Sequence, residues 1–185
     1  MGAAPESDVS GDLTLEQIIN FLLDAPMFGD LDATELSQIV HIMQVQGLRP
    51  GAFVFQEGDP GDAWYLVYDG EVEVYKEPDG GKRTLAILGR RACFGEMAIL
   101  DGSPRSATVI ATTEVTAFRF PRLDFNELIS SGNLAAYKLV YQMALVLVSR
   151  QRKTTSRLVE LLSEVNPTVL KEGIGPIVDQ SSVAE

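Results

Sequence analysis

The feature that most constrains the fold of this chain is a change in the spacing of its apolar residues. From Leu48 to about Pro121 apolar and polar residues alternate, whereas on both sides apolar residues recur every three or four positions. Alternation is typical of half-buried β-strands, and the wider spacing is typical of amphipathic helices. Gly- and Pro-rich turns divide the alternating stretch into short strands, as in an antiparallel jelly-roll barrel. The sequence therefore predicts an α+β fold, with this barrel between N-terminal and C-terminal helices.

The same spacing predicts where the parts of the chain begin and end. Residues 1–12 are small, acidic and aperiodic, and predict a disordered tail. Residues 166–185 lack helical spacing and predict a C-terminal tail. A single domain is predicted over residues 13–165. Its parts are the N-terminal helices at 13–47, the barrel at 48–121 and the C-terminal helices at 122–165, with Asp32 as the N-cap of the second helix.

One long helix is predicted from about Leu134 to Glu164. Its apolar residues form a seam at three- and four-residue steps. The predicted seam residues are Val140, Met143, Ala144, Leu147, Thr154, Leu158 and Leu161. A seam of this length is able to pair with that of a second copy, so the sequence predicts a homodimer through the long helix.

Composition and charge argue against several classes of function. The formal net charge of -11 and the isoelectric point near 4.5 are unlike those of nucleic-acid-binding proteins, which carry a basic excess. The single histidine, His41, argues against a metal enzyme, and no paired carboxylates or Ser-His or Cys-His arrangement indicates catalysis. Cys93 has no second cysteine to pair with, and no apolar run of about 18 residues could span a membrane. We therefore expect a cytoplasmic protein that is not an enzyme and has neither a cofactor nor a metal site.

Two short motifs predict an anion-binding site. Residues 94–100 read FGEMAIL and residues 104–108 read PRSAT, and we name the stretch 94–108 the cassette. A Gly-Glu pair at the start of a short helix offers free backbone N–H groups, and Arg105 is near enough in sequence to return to them. A carboxylate facing a phosphate would repel it, so Glu96 is expected to accept hydrogen bonds from a group attached to the phosphate. A ribose hydroxyl fits that description.

The motifs Phe-Gly-Glu-x-Ala-x-Leu and Pro-Arg-x-Ala-Thr, together with the turns at 57–62 and Gly70, resemble those of the cyclic nucleotide-binding domain family. This family includes the effector-binding part of catabolite activator proteins and of the regulatory subunits of cyclic-nucleotide-dependent kinases. The resemblance covers roughly residues 15–160. It implies a non-catalytic sensor that binds a cyclic nucleotide, cAMP in preference to cGMP, and moves its C-terminal helices on binding. The short helix at 123–129 is then the expected hinge helix.

The resemblance also implies roles for individual residues. Glu96 is expected to accept a hydrogen bond from the ribose 2′-hydroxyl, and Arg105 is expected to pair with the cyclic phosphate. The other predicted ligand contacts in the cassette are Phe94, Gly95, Met97, Ala98, Ser106 and Ala107. Backbone N–H groups from Glu96 onward would face the phosphate, and the Ser106 hydroxyl would bind the phosphate or the base edge. Thr154 or Thr155 of the long helix would contact the base.

Several of these residues also have a purely structural interpretation. Glu96 and Arg105 are able to form an internal salt bridge that braces the turn. Gly95 is able to serve a turn that needs positive φ. Thr154 and Thr155 are able to lie on a solvated helix face and tune the register of a dimer.

The output of such a sensor is left open by the sequence. The residues after Glu164 are too few and too irregular for the helix-turn-helix domain of transcription regulators, so no DNA binding by this chain is expected. The chain is expected to be either a stand-alone module that acts on an unidentified downstream protein or a piece of a longer protein, without a membrane partner. The alternative function is a dimerisation or interaction protein that keeps this fold but no longer binds nucleotide.

Overall fold

A computed structural model of the protein describes residues 13–165, with side chains as far as Ser163. The tails predicted at 1–12 and 166–185 lie outside the described residues. The chain forms two compact units, the first ending at Met143 and the second beginning at Ala144. In the described part of the chain, no helix combines the length and the apolar character that a membrane crossing needs.

Two short helices, α1 (Leu15–Leu23) and α2 (Ala33–His41), open the first unit. Asp32 is the N-cap of α2, as predicted, and its carboxylate accepts two backbone N–H groups of the first turn. Glu35 completes a capping box by accepting from the N–H of Asp32 at 2.9 Å. A 3-10 turn at Pro26–Phe28 joins the two helices. The caps satisfy N–H groups that have no partner inside the helix, which fixes where α2 begins.

The strands that follow pair antiparallel and form two four-stranded sheets. The first sheet contains, in spatial order, β1 (Gln44–Leu48), β8 (Val115–Pro121), β3 (Ala63–Asp69) and β6 (Cys93–Phe94). The second contains, in spatial order, β2 (Phe53–Phe55), β7 (Thr108–Ala111), β4 (Val72–Lys76) and β5 (Arg83–Leu88). The predicted α+β jelly roll is confirmed, as two antiparallel sheets that do not close into one ring.

The structure differs from the sequence prediction at two strands. Strand β1 begins at Gln44, inside the segment predicted to be helical up to residue 47. Gly47 has low β-propensity, and the strand forms because each of its residues has a partner on β8. Strand β6 is missing from the prediction because two residues, Cys93 and Phe94, are too few to display a period.

The first sheet is packed on both faces. Alternate residues of β3 point to opposite sides, and those facing the second sheet form the inter-sheet core. These core residues of β3 are Ala63, Tyr65 and Val67. On the other face Trp64 stacks on Phe120 with 3.9 Å between ring centroids, and it also meets Phe28 and Phe125. Since Phe125 belongs to helix α4 (Arg122–Ser130), this aromatic cluster attaches α4 to the sheet.

The long helix predicted from Leu134 is present as α5 (Leu134–Val165). Within the first unit, Leu139 and Met143 are fully buried. The prediction that Met143 belongs to an intermolecular seam is wrong, because its side chain is already covered within the chain. In the second unit the described side chains, from Ala144 to Ser163, are exposed or partly exposed.

Polar contacts attach the first turns of α5 to the N-terminal region. The Lys138 ammonium donates to the Glu35 carboxylate at 2.7 Å and to the backbone carbonyl of Asp30 at 3.0 Å. The Gln142 amide donates to the Asp30 carboxylate at 2.6 Å. We name these four residues the helix clamp. Together they fix the first three turns of α5 to α2 and to the turn before it.

Candidate functional site

The cassette brings its two motifs into contact. Strand β6 leads through Gly95 and Glu96 into the short helix α3 (Met97–Asp101), and the chain then returns through Arg105 to strand β7. The Arg105 guanidinium donates from Nη1 to the carbonyl of Gly95 at 2.9 Å. This bond joins the glycine of the first motif to the arginine of the second.

Gly95 is required by the geometry of the turn. Its φ of +76° lies in the left-handed region, which side chains disfavour. A Cβ at this position would lie 2.8 Å from Nη1 of Arg105 and 3.3 Å from the Phe55 ring. The structural interpretation of Gly95 is therefore sufficient to explain the residue, and its contact with a ligand stays a prediction.

Arg105 is almost completely buried, with its side chain 1% exposed. Its Nη2 donates to the carbonyl of Ala63 at 2.7 Å and to the carboxylate of Asp62 at 2.9 Å. The guanidinium also lies over the Phe55 ring, 4.0 Å from the centroid. These contacts hold the guanidinium at a fixed position between β2, the start of β3 and the cassette.

One nitrogen of Arg105 makes no hydrogen bond within the described residues. Its Nε is buried and has no hydrogen-bond partner in the described part of the chain. A buried donor that is left unsatisfied costs about 1–3 kcal/mol, so such groups are rare in native folds. Arg105 therefore retains hydrogen-bond capacity that an acceptor atom of a ligand would satisfy.

Asp62 lies between two arginines. Its Oδ1 accepts from Arg105, and its Oδ2 accepts from Nη2 of Arg119 at 2.8 Å. Burial raises the pKa of Asp62, but the hydrogen bond and charge of Arg119, followed by those of Arg105, outweigh it and hold the pKa below its usual value. Asp62 is therefore ionised at neutral pH. Sequence reasoning assigned it only to the turn at 57–62 and missed its place in the site.

Glu96 is the second charged residue of the cassette, and its side chain is buried at 2% exposure. It occupies the N-cap position of α3. The neighbouring Ala98 is also buried, and a Cβ on Gly61 would collide with it, so the turn before β3 packs directly on α3. A carboxylate buried in this way needs hydrogen-bonding partners to offset its lost hydration.

The other predicted contact residues of the cassette divide into buried and exposed ones. The ring of Phe94 stacks on Tyr65 in the core with 5.1 Å between centroids, and Ala107 is buried. Met97 and Ser106 are exposed, with the Ser106 hydroxyl 3.8 Å from the Met97 sulfur. Solvent therefore reaches the Ser106 hydroxyl, while Phe94 serves the core.

The two threonines predicted to contact a base lie on α5 in the second unit. Thr154 and Thr155 are both exposed, and the Thr154 hydroxyl donates to the backbone carbonyl of Arg150 at 3.0 Å. Such a bond within the helix is common for threonine. Their contact with a ligand stays a prediction.

Comparison with known proteins relates this geometry to a family. The sequence profile of the cyclic nucleotide-binding domain matches residues 45–131, which include the cassette. The cAMP-dependent protein kinase regulatory subunit of Colletotrichum orbiculare is 34% identical over 110 residues, covering 60% of this chain and 28% of that protein. The Cyclic AMP receptor protein of Thermus thermophilus is 32% identical over 163 residues, covering 83% of this chain and 73% of that protein.

A solved structure has the same fold. The crystal structure of a cyclic nucleotide-binding domain from Methylobacillus flagellatus matches with a TM-score of 0.69 and 27% identity, covering 88% of this chain and 86% of the other. The chain thus spans only about a quarter of the kinase regulatory subunit but most of the receptor protein and of this bacterial domain. With a matching profile, relatives above 30% identity and a shared fold, the chain belongs to the cyclic nucleotide-binding domain family.

Proposed function

We propose that this chain is a non-catalytic sensor that binds a cyclic nucleotide in the cassette, with cAMP preferred to cGMP. In this proposal the binding domain spans residues 13–165. The observation that supports it most is Arg105, whose guanidinium is buried beside the Gly95 carbonyl and retains an unpaired Nε–H. A phosphate oxygen would satisfy that donor and remove the cost of leaving it unpaired.

The charge of Arg105 suits a cyclic phosphodiester. Such a phosphate carries a single negative charge, which one guanidinium balances, and a charge-assisted hydrogen bond of this kind is worth roughly 1.5–3 kcal/mol. In the proposal the backbone N–H groups of Glu96, Met97 and Ala98 bind the other phosphate oxygens. Gly95 allows the phosphate to approach the backbone.

Glu96 and the residues after Arg105 bind the rest of the nucleotide in this proposal. An ionised carboxylate only accepts hydrogen bonds, so Glu96 accepts one from the ribose 2′-hydroxyl. Ala107 is small and lies beneath the sugar and base, and the exposed hydroxyl of Ser106 meets the phosphate or the base edge. Either Thr154 or Thr155 contacts the base from α5.

The names of the relatives support cAMP as the ligand. The kinase regulatory subunit is described as cAMP-dependent, and the bacterial relative is a Cyclic AMP receptor protein. Ser106 alone does not select between adenine and guanine, because a hydroxyl both donates and accepts hydrogen bonds. The preference for cAMP therefore rests on the relatives.

The proposal is tested by calorimetric titration of the whole chain with cAMP, cGMP and AMP. We expect cAMP to bind most tightly and cGMP less tightly. AMP is expected to bind weakest, because its open phosphate carries more charge than one guanidinium balances. Absence of binding by both cyclic nucleotides would overturn the proposed function, and tighter binding of cGMP would overturn only the preference.

The proposed output is a movement of the C-terminal helices, with α4 as the hinge. A ligand shifts such an equilibrium only through its different affinity for the two states. We expect cAMP to change the hydrogen exchange of residues 122–165, measured by mass spectrometry with and without ligand. Identical exchange in both samples would contradict this coupling while leaving the binding itself intact.

The second unit supports a homodimer as part of the proposal. Several of its apolar side chains are exposed by 42–49%, namely Leu145, Val148, Leu158, Val159 and Leu161. Burying them in a second copy would remove this apolar surface from water. The same surface favours the second candidate function, an interaction protein without a ligand, and sedimentation with and without cAMP separates the two. A dimer in a chain that binds no cyclic nucleotide would favour the second candidate.

A further inference from the structure

The two oxygens of the Asp62 carboxylate are divided between two arginines. Oδ1 accepts from the buried Arg105 at 2.9 Å, and Oδ2 accepts from Arg119 at 2.8 Å. A carboxylate commonly pairs with one arginine through both oxygens at once. Because Arg119 occupies Oδ2, Asp62 is restricted to a single hydrogen bond with Arg105.

Arg119 is itself fixed by the sheet. It lies on β8 between Gln44 of β1 and Tyr65 of β3, the residues directly opposite it on the neighbouring strands. Its Nη1 donates to the Gln44 side chain at 2.8 Å, and Tyr65 lies opposite it on the neighbouring strand. The Tyr65 ring is in turn stacked on Phe94, next to Gly95. Arg119 therefore holds Asp62 from a rigid position.

The net charge of Arg105, Asp62 and Arg119 determines how strongly the site attracts an anion. Arg105 and Asp62 alone would cancel, and the carboxylate would compete with an incoming phosphate for the guanidinium. Two guanidiniums and one carboxylate instead leave a single net positive charge. Because the carboxylate of Asp62 is 59% exposed, its repulsion of an approaching phosphate is weakened but not removed by solvent.

We propose that Arg119 is a positioning residue of the ligand site, which restrains and neutralises Asp62 so that the buried Arg105 remains available to an anionic phosphate. This inference rests on the proposed function of the cassette. It assigns to Arg119 a role that acts through Asp62 and requires no contact between Arg119 and the ligand. Removal of Arg119 would let Asp62 turn both oxygens toward Arg105.

The test is a double-mutant cycle read by calorimetric affinity for cAMP. We expect Arg119→Gln to weaken binding about fivefold or more, which corresponds to about 1 kcal/mol. Arg119→Lys keeps the charge but not the fork that reaches both Asp62 and Gln44, so it is expected to weaken binding less than Arg119→Gln does. In an Asp62→Asn background the same Arg119→Gln change is expected to alter affinity less than about twofold, because the carboxylate it restrained is gone.

A matched control removes an arginine from another ion pair. Arg91 pairs with Asp24 at 2.9 Å outside the cassette, so Arg91→Gln is expected to leave the affinity for cAMP unchanged. Equal losses for Arg119→Gln with and without Asp62→Asn would identify a general structural role and overturn the inference. An unchanged affinity of Arg119→Gln would also overturn it, while the proposed function survives. If the unmodified chain binds no cyclic nucleotide, the proposed function fails together with the inference.

Discussion

The cassette and the helix clamp both contain hydrogen-bonded ion pairs. The two differ in burial and in how completely their hydrogen-bonding groups are satisfied. At the cassette, the Arg105 side chain is 1% exposed, pairs with Asp62 and keeps an Nε–H without a partner. In the helix clamp, Lys138 is 32% exposed, and one oxygen of Glu35 accepts both its ammonium and the N–H of Asp32. The clamp carboxylate thus serves a helix cap and an ion pair together, so the clamp is explained by the fold alone.

Unsatisfied hydrogen-bond capacity separates a candidate binding site from a structural ion pair. An ion pair whose groups also satisfy a helix cap stabilises the chain and leaves nothing for a ligand to complete. A buried cation that keeps an unpaired donor lowers the stability of the fold. A ligand oxygen that accepts a hydrogen bond from this donor would remove that cost. Substitutions at the cassette should therefore change affinity, and substitutions at the helix clamp should change stability.

The largest effect is expected from Arg105→Lys, which should weaken cAMP binding at least about tenfold. Lysine keeps the charge but lacks the planar guanidinium, whose unpaired Nε–H is the donor proposed to bind the phosphate. Arg105→Ala should weaken binding as well. It also removes the guanidinium that donates to the backbone carbonyls of Gly95 and Ala63, so it disturbs the fold. Calorimetry on both variants measures the effect, with Lys138→Arg as the control that keeps normal affinity. Equal affinity of Arg105→Lys and the unmodified chain would contradict the distinction drawn between the cassette and the helix clamp.

A smaller loss of affinity is expected from Gly95→Ala, about fivefold. The added Cβ would displace Nη1 of Arg105, which lies 2.8 Å from its position. Gly51→Ala is the matched control, because Gly51 also has a left-handed φ, +83°, but no atom within 4 Å of the added Cβ. Each variant should lose about 1–2 kcal/mol of folding free energy for the left-handed backbone, and only Gly95→Ala should lose affinity. Similar affinity losses in both would indicate that strain, and not Arg105, is responsible.

The sequence was sufficient to predict the cassette and the main elements, because both depend on local patterns. The Gly95-Glu96 pair and Arg105 lie within one short stretch, and the strand period is visible over a few residues. Asp62 was missed because it meets Arg105 across 43 positions and Arg119 across 57 positions. Such pairings leave no periodic pattern in the sequence, because the residues meet only when the sheet folds.

Helix α5 illustrates a second limit of sequence reasoning. Its apolar spacing correctly predicts a long helix but does not say which surface covers each apolar residue. Met143 is fully buried within the chain, whereas Leu158 and Leu161 of the same predicted seam are exposed. The 3.6-residue period identifies an apolar face, and the partner of that face depends on tertiary packing.

At the helix clamp, Glu35→Gln is expected to lower the melting temperature by a few degrees and to leave the affinity for cAMP unchanged. The variant replaces the carboxylate that Lys138 and the N–H of Asp32 both approach. Thermal unfolding followed by circular dichroism measures the shift, and calorimetry measures the affinity. A loss of affinity with an unchanged melting temperature would mean that the clamp, too, belongs to the ligand site.

The smallest effect is expected in how the difference in melting temperature between the unmodified chain and Glu35→Gln depends on pH. The hydrogen bond with Lys138, followed by the N–H of Asp32, holds the pKa of Glu35 below its usual value. A carboxyl whose pKa is lowered on folding stabilises the native state above its unfolded pKa, and this stabilisation is lost as the pH falls through the folded pKa. The melting temperatures of the unmodified chain and Glu35→Gln should therefore differ at neutral pH and converge below about pH 4. In a Lys138→Ala background the difference at neutral pH should be smaller, because the leading cause of the lowered pKa is absent. A difference that persists unchanged into acid would show that Glu35 acts through packing and not through its charge.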